Sequence, residues 1–472
     1  MPGTREVAES PSCTRRAALG GLAALVAGSL REARAFEAGA ALNIATFSAD
    51  VTIPKGHPCM GGGIAPARAV LDPLLARGVV LFGREQPVVV AAVDWCEIRN
   101  EAYDRWRSAL AEAAGTVPSR VLVSSVHQHD APVADLEAER LLRECQAQGS
   151  ICDPDFHERA VRRTADALRE GLTHARPFTH VGVGSARVEK VGSNRRYLNP
   201  DGSPNFGRTS ASRDAYAREQ PEGTIDPLLR ALSFWDGETP IAALNVYSTH
   251  PMSRYGQGLV SADFVGDARR QRQEETPTVF QIYFSGCSGN VTAGKYNDGA
   301  PPNRAVLAGR LHDAMTRAWK ATERHPVDTI GFRTVPLRLE PRDGPGFTVD
   351  DLTRRLKTDP KPFNQCLAAM GLSWRKRADA GHVIELPRLD LGPALVVLFP
   401  GESYVEYQRL AQSLRPDRFV VALGYGESAT GYVPTERAVN ENDSNLHDWC
   451  WVAPGAETAL TRALKTLLDR PE

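Results

Sequence analysis

Short apolar runs rich in Val and Ile recur along this chain and alternate with stretches of helical periodicity, a rhythm that confines the fold to the α/β class. Val88 to Val93 and Val121 to Val126 read as buried strands. The helical pattern from Glu101 to Ala114 between them predicts a parallel pairing through a crossover helix. Further strands are expected over Ile241 to Ser248, Thr278 to Phe284, Ala394 to Phe399 and Phe419 to Leu423, with a helix from Ser403 to Leu414. The expected architecture is a mixed β-sheet body with helices. The stretches 199–223 and 294–304, rich in Gly, Pro, Asn and Asp, are expected to form long loops around an active site. No segment repeats in sequence, and Arg338 to Pro345 is the best candidate for a hinge.

The composition of the 472 residues, 42% apolar and 24% charged, excludes collagen, coiled coil and wholesale disorder. The first 35 residues read as an export signal of the twin-arginine type. They carry Arg15-Arg16, an apolar run from Ala17 to Leu30 and an Ala33-Arg34-Ala35 cleavage site, so the mature chain is expected to begin near Phe36 in the periplasm or outside the cell. The apolar run is too short to span a bilayer, and no later stretch is long and apolar enough. Removing the leader's five basic and three acidic residues from 56 and 57 leaves 51 against 54, a balance without a nucleic-acid footprint. Seven Cys then remain, and Cys145 with Cys152 is the candidate disulfide, two unpaired thiols being the alternative.

Polar groups with chemical potential repeatedly follow the expected strands, where open α/β sheets form their sites. His127 and His129 follow Val121 to Val126, and extended geometry through Gln128 would point both imidazoles into one cavity. They can share a metal, or one can bind it while the other handles protons. His250 ends another strand before Pro251, and Glu402 opens a helix after Phe399-Pro400-Gly401. Taken alone, His250 reads as a packing residue, Glu402 as a helix cap and Tyr432 as core or rim. The turn from Gly286 to Gly294 offers backbone N–H groups and the Thr292 hydroxyl, and equally reads as a structural turn.

The order of these pieces resembles the neutral/alkaline ceramidase family, zinc-dependent amidases that cleave the N-acyl bond of ceramide. The likeness runs over roughly residues 41 to 450. Asp50-Val51-Thr52-Ile53-Pro54 is similar to the family's Asp-Val-Thr-x-Pro, and His127-Gln128-His129-Asp130-Ala131-Pro132 to its His-Thr-His-Ser-Gly-Pro. By that resemblance His127, His250, Glu402 and Tyr432 are Zn²⁺ ligands, with His129 and Thr292 as catalytic groups. The family's Gly-Asp-Val-Ser-Pro-Asn stands here as Gly289-Asn290-Val291-Thr292-Ala293-Gly294, with Thr in place of Ser and Asn in place of Asp. The resemblance implies residues 36–340 as the main part of the catalytic domain and 341–472 as its C-terminal part, supplying Glu402 and Tyr432, without the family's immunoglobulin-like domain. The implied activity is hydrolysis of a small-molecule or lipid N-acyl amide by water activated on zinc. A metal-dependent esterase or deacetylase on the same scaffold, and a non-catalytic zinc-containing binding protein, are the competing readings. The polar stretch 199–223 favours a partly polar substrate over a two-tailed lipid.

Overall fold

The computed structural model describes residues 41–469, so the export signal expected over 1–35 lies outside the described residues. Three mixed sheets follow one another along the chain. The first contains β1 (Asn43–Asp50), β2 (Leu75–Phe82), β3 (Val88–Val93), β4 (Val121–Ser125) and β5 (Arg176–Pro177), in the spatial order β4-β3-β2-β1-β5. The second contains β6 (His180–Arg187), β7 (Leu228–Asp236), β8 (Thr239–Tyr247), β9 (Phe280–Ser285) and β10 (Glu323–Pro326), in the order β9-β8-β7-β6-β10. The third runs in chain order through β11 (Gly331–Leu337), β12 (Ile384–Leu391), β13 (Ala394–Leu398) and β14 (Phe419–Leu423). Each sheet has antiparallel strands leading to one parallel pair at an edge: β3 with β4, β8 with β9, β13 with β14. A parallel pair needs a long crossover, and helices Asn100–Ala114, Asp263–Glu275 and Val405–Leu414 supply the three. The parallel pairing read from the first of these helices is therefore present, and its topology recurs twice without any repetition of sequence.

Period-2 alternation explains how the sheets are layered. Val90 and Leu122 of the first sheet, Leu232 and Leu244 of the second, and Leu389, Val396 and Val421 of the third share one core. Their neighbours face outward under helices. Val89, Val121 and Val123 pack with Trp106 and Leu168, whereas Leu395, Val397 and Val420 pack with Met370, Leu460 and Leu464. Every side chain of β3 is buried, as its unbroken apolar run requires of a strand covered on both faces.

The carboxyl ends of β4, β9 and β14 are tied to one another. Ser125 N–H donates to Tyr425 O (2.9 Å), Gly424 N–H to Ser285 O (2.8 Å), and Ser285 Oγ to Val126 O (2.7 Å). Gly424 permits this contact, because a Cβ there would lie 2.6 Å from the carbonyl oxygen of Gly286. Loops from all three sheets consequently open onto one place.

Three expectations change. The helix expected from Ser403 begins at Val405, and Glu402 caps nothing: with Ser403 it forms a short parallel bridge to Tyr432 and Val433. Extended geometry does not reach Gln128, because β4 stops at Ser125 and His127 takes φ +78°. Cys145 and Cys152 are free thiols, as are the other five described cysteines. Cys152 lies in the core with its thiol towards Asp135 O, while Cys145 sits half-buried after helix Leu136–Glu144. The stretch 199–223 is a loop interrupted by short elements, Pro204–Asn205 paired with Tyr197–Leu198 and a single helical turn Ala215–Glu219. Among the described residues no helix is long and apolar enough to cross a membrane.

Candidate metal centre

At the shared carboxyl end of the sheets, Glu402 Oε2 lies 3.0 Å from His250 Nε2 and 3.3 Å from His127 Nε2. All three side chains are buried, and their donor atoms lie within 4.8 Å of one another. Backbone groups hold each in place. His127 donates its N–H to Trp95 O and hydrogen-bonds Cys96 O through Nδ1, both at 2.9 Å. His250 donates its N–H to Val291 O, and its Nδ1 lies 2.7 Å from Ser288 O. A carbonyl only accepts, so Nδ1 carries the proton on both rings and Nε2 presents a lone pair. Glu402 is fixed by its bridge to Tyr432 and by its N–H, which donates to Gly431 O.

Tyr432 joins the group through Arg195. One guanidinium nitrogen donates to Tyr432 Oη at 2.8 Å and to Asn445 Oδ1 at 2.7 Å, while the other lies 3.0 Å from His250 Nε2. Tyr425 stacks on His127 at 4.2 Å with an interplanar angle of 18°, and its hydroxyl meets Ser288 Oγ at 2.8 Å. Since Ser288 O also takes the His250 Nδ1 bond, one turn supports both imidazoles. Arg99 braces the approach to Tyr432 by pairing with Glu97 and donating to Ser428 O and Ala429 O.

The charges oppose one another. Burial would raise the pKa of Glu402, but His127 and His250 outweigh it and hold the carboxyl far below the ordinary range. Burial disfavours a proton on His127, yet Glu402 and Glu97 together lift its pKa above that of a free imidazole. His250 goes the other way, to about 4, because burial acts together with the Arg195 cation. Burial and the neighbouring His127 and His250 push His129 well below its ordinary value, which keeps it neutral. Burial raises Tyr432 despite Arg195, so its phenol keeps its proton. Arg195 itself stays charged, because Tyr432 and Glu402 more than offset its desolvation.

The structure brings His129 to the same place, its ring 5.2 Å from His127 and 6.3 Å from His250, with Nδ1 buried and unpartnered. The positive φ of His127 achieves this, a turn doing what strand alternation was expected to do. Thr292 is buried in the bridge Val291–Thr292 to Ser193–Asn194. Its hydroxyl donates to Arg208 O and accepts from Gly294 N–H. Sequence reasoning missed Arg195, Tyr425, Asn445 and Tyr255, whose ring meets His129 edge-on at 5.4 Å. The only signal for Arg195 was its position just ahead of the polar stretch 199–223.

The residues present fit a metal ion. Two oriented imidazole lone pairs and one ionised carboxylate converge, and the buried His127 Nε2 has no hydrogen-bond partner in the protein. No family model matches the chain, and no curated protein does. Solved structures do. The chain is similar to the neutral ceramidase from Pseudomonas aeruginosa, with a TM-score of 0.64 at 17% identity over 91% of this chain and 75% of that one. A ceramidase complexed with C2 is similar to the same degree, with a TM-score of 0.65 at 17% identity, covering 91% of this chain and 76% of that one. The three-sheet body is thus the fold of the neutral ceramidases.

Proposed function

We propose that the protein is an exported, zinc-dependent hydrolase of N-acyl amides, related to the neutral ceramidases, with His127, His250, Glu402 and Tyr432 holding the ion. The convergence of two Nε2 atoms on one Glu402 oxygen carries this reading, and the fold shared with ceramidases supports it. A bound Zn²⁺ would supply Lewis acidity, polarising a carbonyl and lowering the pKa of water towards about 7.

The chain's own residues do the rest. Cys96 O and Ser288 O fix the tautomers of His127 and His250. Arg195 holds the Tyr432 hydroxyl and presents a permanent cation, with a buried and unpartnered Nε, to negative charge developing on a carbonyl oxygen. His129, neutral and with a free Nδ1, takes a proton from attacking water and returns it to the leaving amine. Thr292 serves as a positioning residue. Its hydroxyl ties the Val291–Thr292 bridge to Arg208 O, and the same segment accepts the His250 N–H.

The test is metal analysis of the purified protein with a paired rate measurement on N-acyl amides. One zinc per chain with amide turnover is expected, and His250→Ala should lose both. A variant that kept its zinc and its rate would refute the ligand assignment.

A further inference from the structure

Tyr425 reaches the segments that carry His127, His250 and Glu402. Its carbonyl accepts the N–H of Ser125 at 2.9 Å, where the strand leading to His127 ends, and its own N–H donates to Gly401 O at 3.1 Å, one residue before Glu402. Its ring lies on the face of His127, with centroids 4.2 Å apart and planes at 18°. Its hydroxyl meets Ser288 Oγ at 2.8 Å. Ser288 Oγ gives its single proton to Gly286 O at 3.2 Å, so Tyr425 is the donor to Ser288. The carbonyl of the same Ser288 receives the proton on His250 Nδ1 at 2.7 Å. One phenol therefore covers one imidazole with its ring and braces the residue that holds the other with its hydroxyl.

The backbone bears strain to achieve this. Tyr425 is fully buried and takes φ +54°, a left-handed conformation that a bulky side chain adopts only at a cost. Glycine would make the same turn without strain, so the position keeps its residue for the side chain and not for the turn. We propose that Tyr425 is a positioning residue of the metal centre: its ring fixes the plane of His127 and its hydroxyl, through Ser288, fixes the orientation of His250, so that both Nε2 lone pairs meet at Glu402. An imidazole held at Nδ1 alone can still tilt about that bond, and a stacked ring removes the tilt. Outer partners that orient metal-binding histidines are worth about 10- to 100-fold in metal affinity. This inference rests on the metal-centre reading above.

The test measures the zinc affinity of the purified protein by competition with a chelator. Tyr425→Phe keeps the stacked ring and removes only the hydroxyl, and should bind zinc about 10- to 100-fold more weakly than the wild type. Ser288→Ala should lose about as much, and the double variant no more than either, because both break one chain of bonds. Tyr103→Phe is the control. It removes another buried hydroxyl, bonded to Val123 O at 3.3 Å inside the first sheet, and should leave zinc affinity unchanged. Wild-type affinity in Tyr425→Phe, or a loss matched by Tyr103→Phe, overturns this inference and leaves the ligand assignment standing. Losses in Tyr425→Phe and Ser288→Ala that multiply in the double variant also overturn it, by showing that the two hydroxyls act separately. A wild-type protein that binds no zinc overturns both readings.

Discussion

Single side chains here do work that their neighbours could not take over, and Arg195 is the clearest case. Its fork reaches Tyr432, Asn445 and His250 at once, at 2.8, 2.7 and 3.0 Å. Lysine offers a point charge on a flexible stem and cannot span three partners. Arg195→Lys should therefore keep its zinc, since none of the four proposed ligands is itself replaced, but lose about 10²-fold in kcat/KM, the usual cost of removing one preorganised donor to a developing oxyanion. Metal stoichiometry measured beside kinetics checks this, and loss of zinc in the variant would place Arg195 in holding the metal instead. Arg195 also marks the limit of what the sequence made legible. His127 and His250 stood out because each follows an apolar run, and strand ends are where sites form. Arg195 sits in the bend after the two-residue strand Ser193–Asn194, with no such context, and nothing local distinguishes it from Arg196, which turns away to pair with Glu441. Glu402 was legible as a carboxylate after a strand. Its bridge to Tyr432 depends on a partner thirty residues away, which local pattern does not encode.

At the level of elements, the six strands expected from the sequence, those that form the three parallel pairs, were readable because their burial leaves apolar runs. Their observed limits differ from the expected ones by two residues or fewer, whereas the antiparallel strands beside them were not read. What local pattern does not carry is the junction of β4, β9 and β14, because it rests on backbone bonds between segments far apart in sequence. Gly424 tests it. An alanine methyl would meet three backbone atoms of Gly286 and Cys287 at 2.6, 2.9 and 3.2 Å, none of which can rotate away. Gly424→Ala should destabilise the fold by about 2 kcal/mol or more, in the range of core overpacking. Gly309 is the control, because it lies in helix Asn303–Lys320 with nothing within 4 Å of the place an added methyl would take. Gly309→Ala should stabilise by about 0.5–1 kcal/mol through helix propensity alone. Urea midpoints moving in opposite directions for the two variants would bear out the junction, whereas equal shifts would show that the strand ends are free to separate.

For the whole molecule, the balance of buried ionisable groups sets how stability answers to pH. His157 lies inside helix Pro154–Leu172 against Trp95, its ring 6.0 Å from the indole, and burial lowers its pKa to about 4. The unfolded chain accepts a proton there below about pH 6.5, while the folded chain refuses it until about pH 4, so stability contributed by the neutral imidazole is present above 6.5 and is lost as pH falls through that window. The gap between 6.5 and about 4, at about 1.4 kcal/mol per pH unit, is worth about 3 kcal/mol. Asp130 and Asp263 act in the opposite sense, because burial lifts each to about 6 and their protonated forms favour the fold as pH falls from there towards 3.8. Wild-type stability between pH 6 and 4 is accordingly the resultant of opposing groups, so the contribution of His157 is read from the difference between a variant and the wild type. His157→Phe removes only the imidazole side of the balance. Any packing penalty of the larger ring is the same at every pH and drops out of the slope. The difference in unfolding free energy, variant minus wild type, should thus grow by about 3 kcal/mol in favour of the variant between pH 7 and pH 4, read from denaturant unfolding at fixed ionic strength. A difference that stays flat across that range would mean that His157 is protonated within the folded protein. The result also bears on the centre, because Trp95, which His157 buttresses, supplies the carbonyl that receives the His127 N–H.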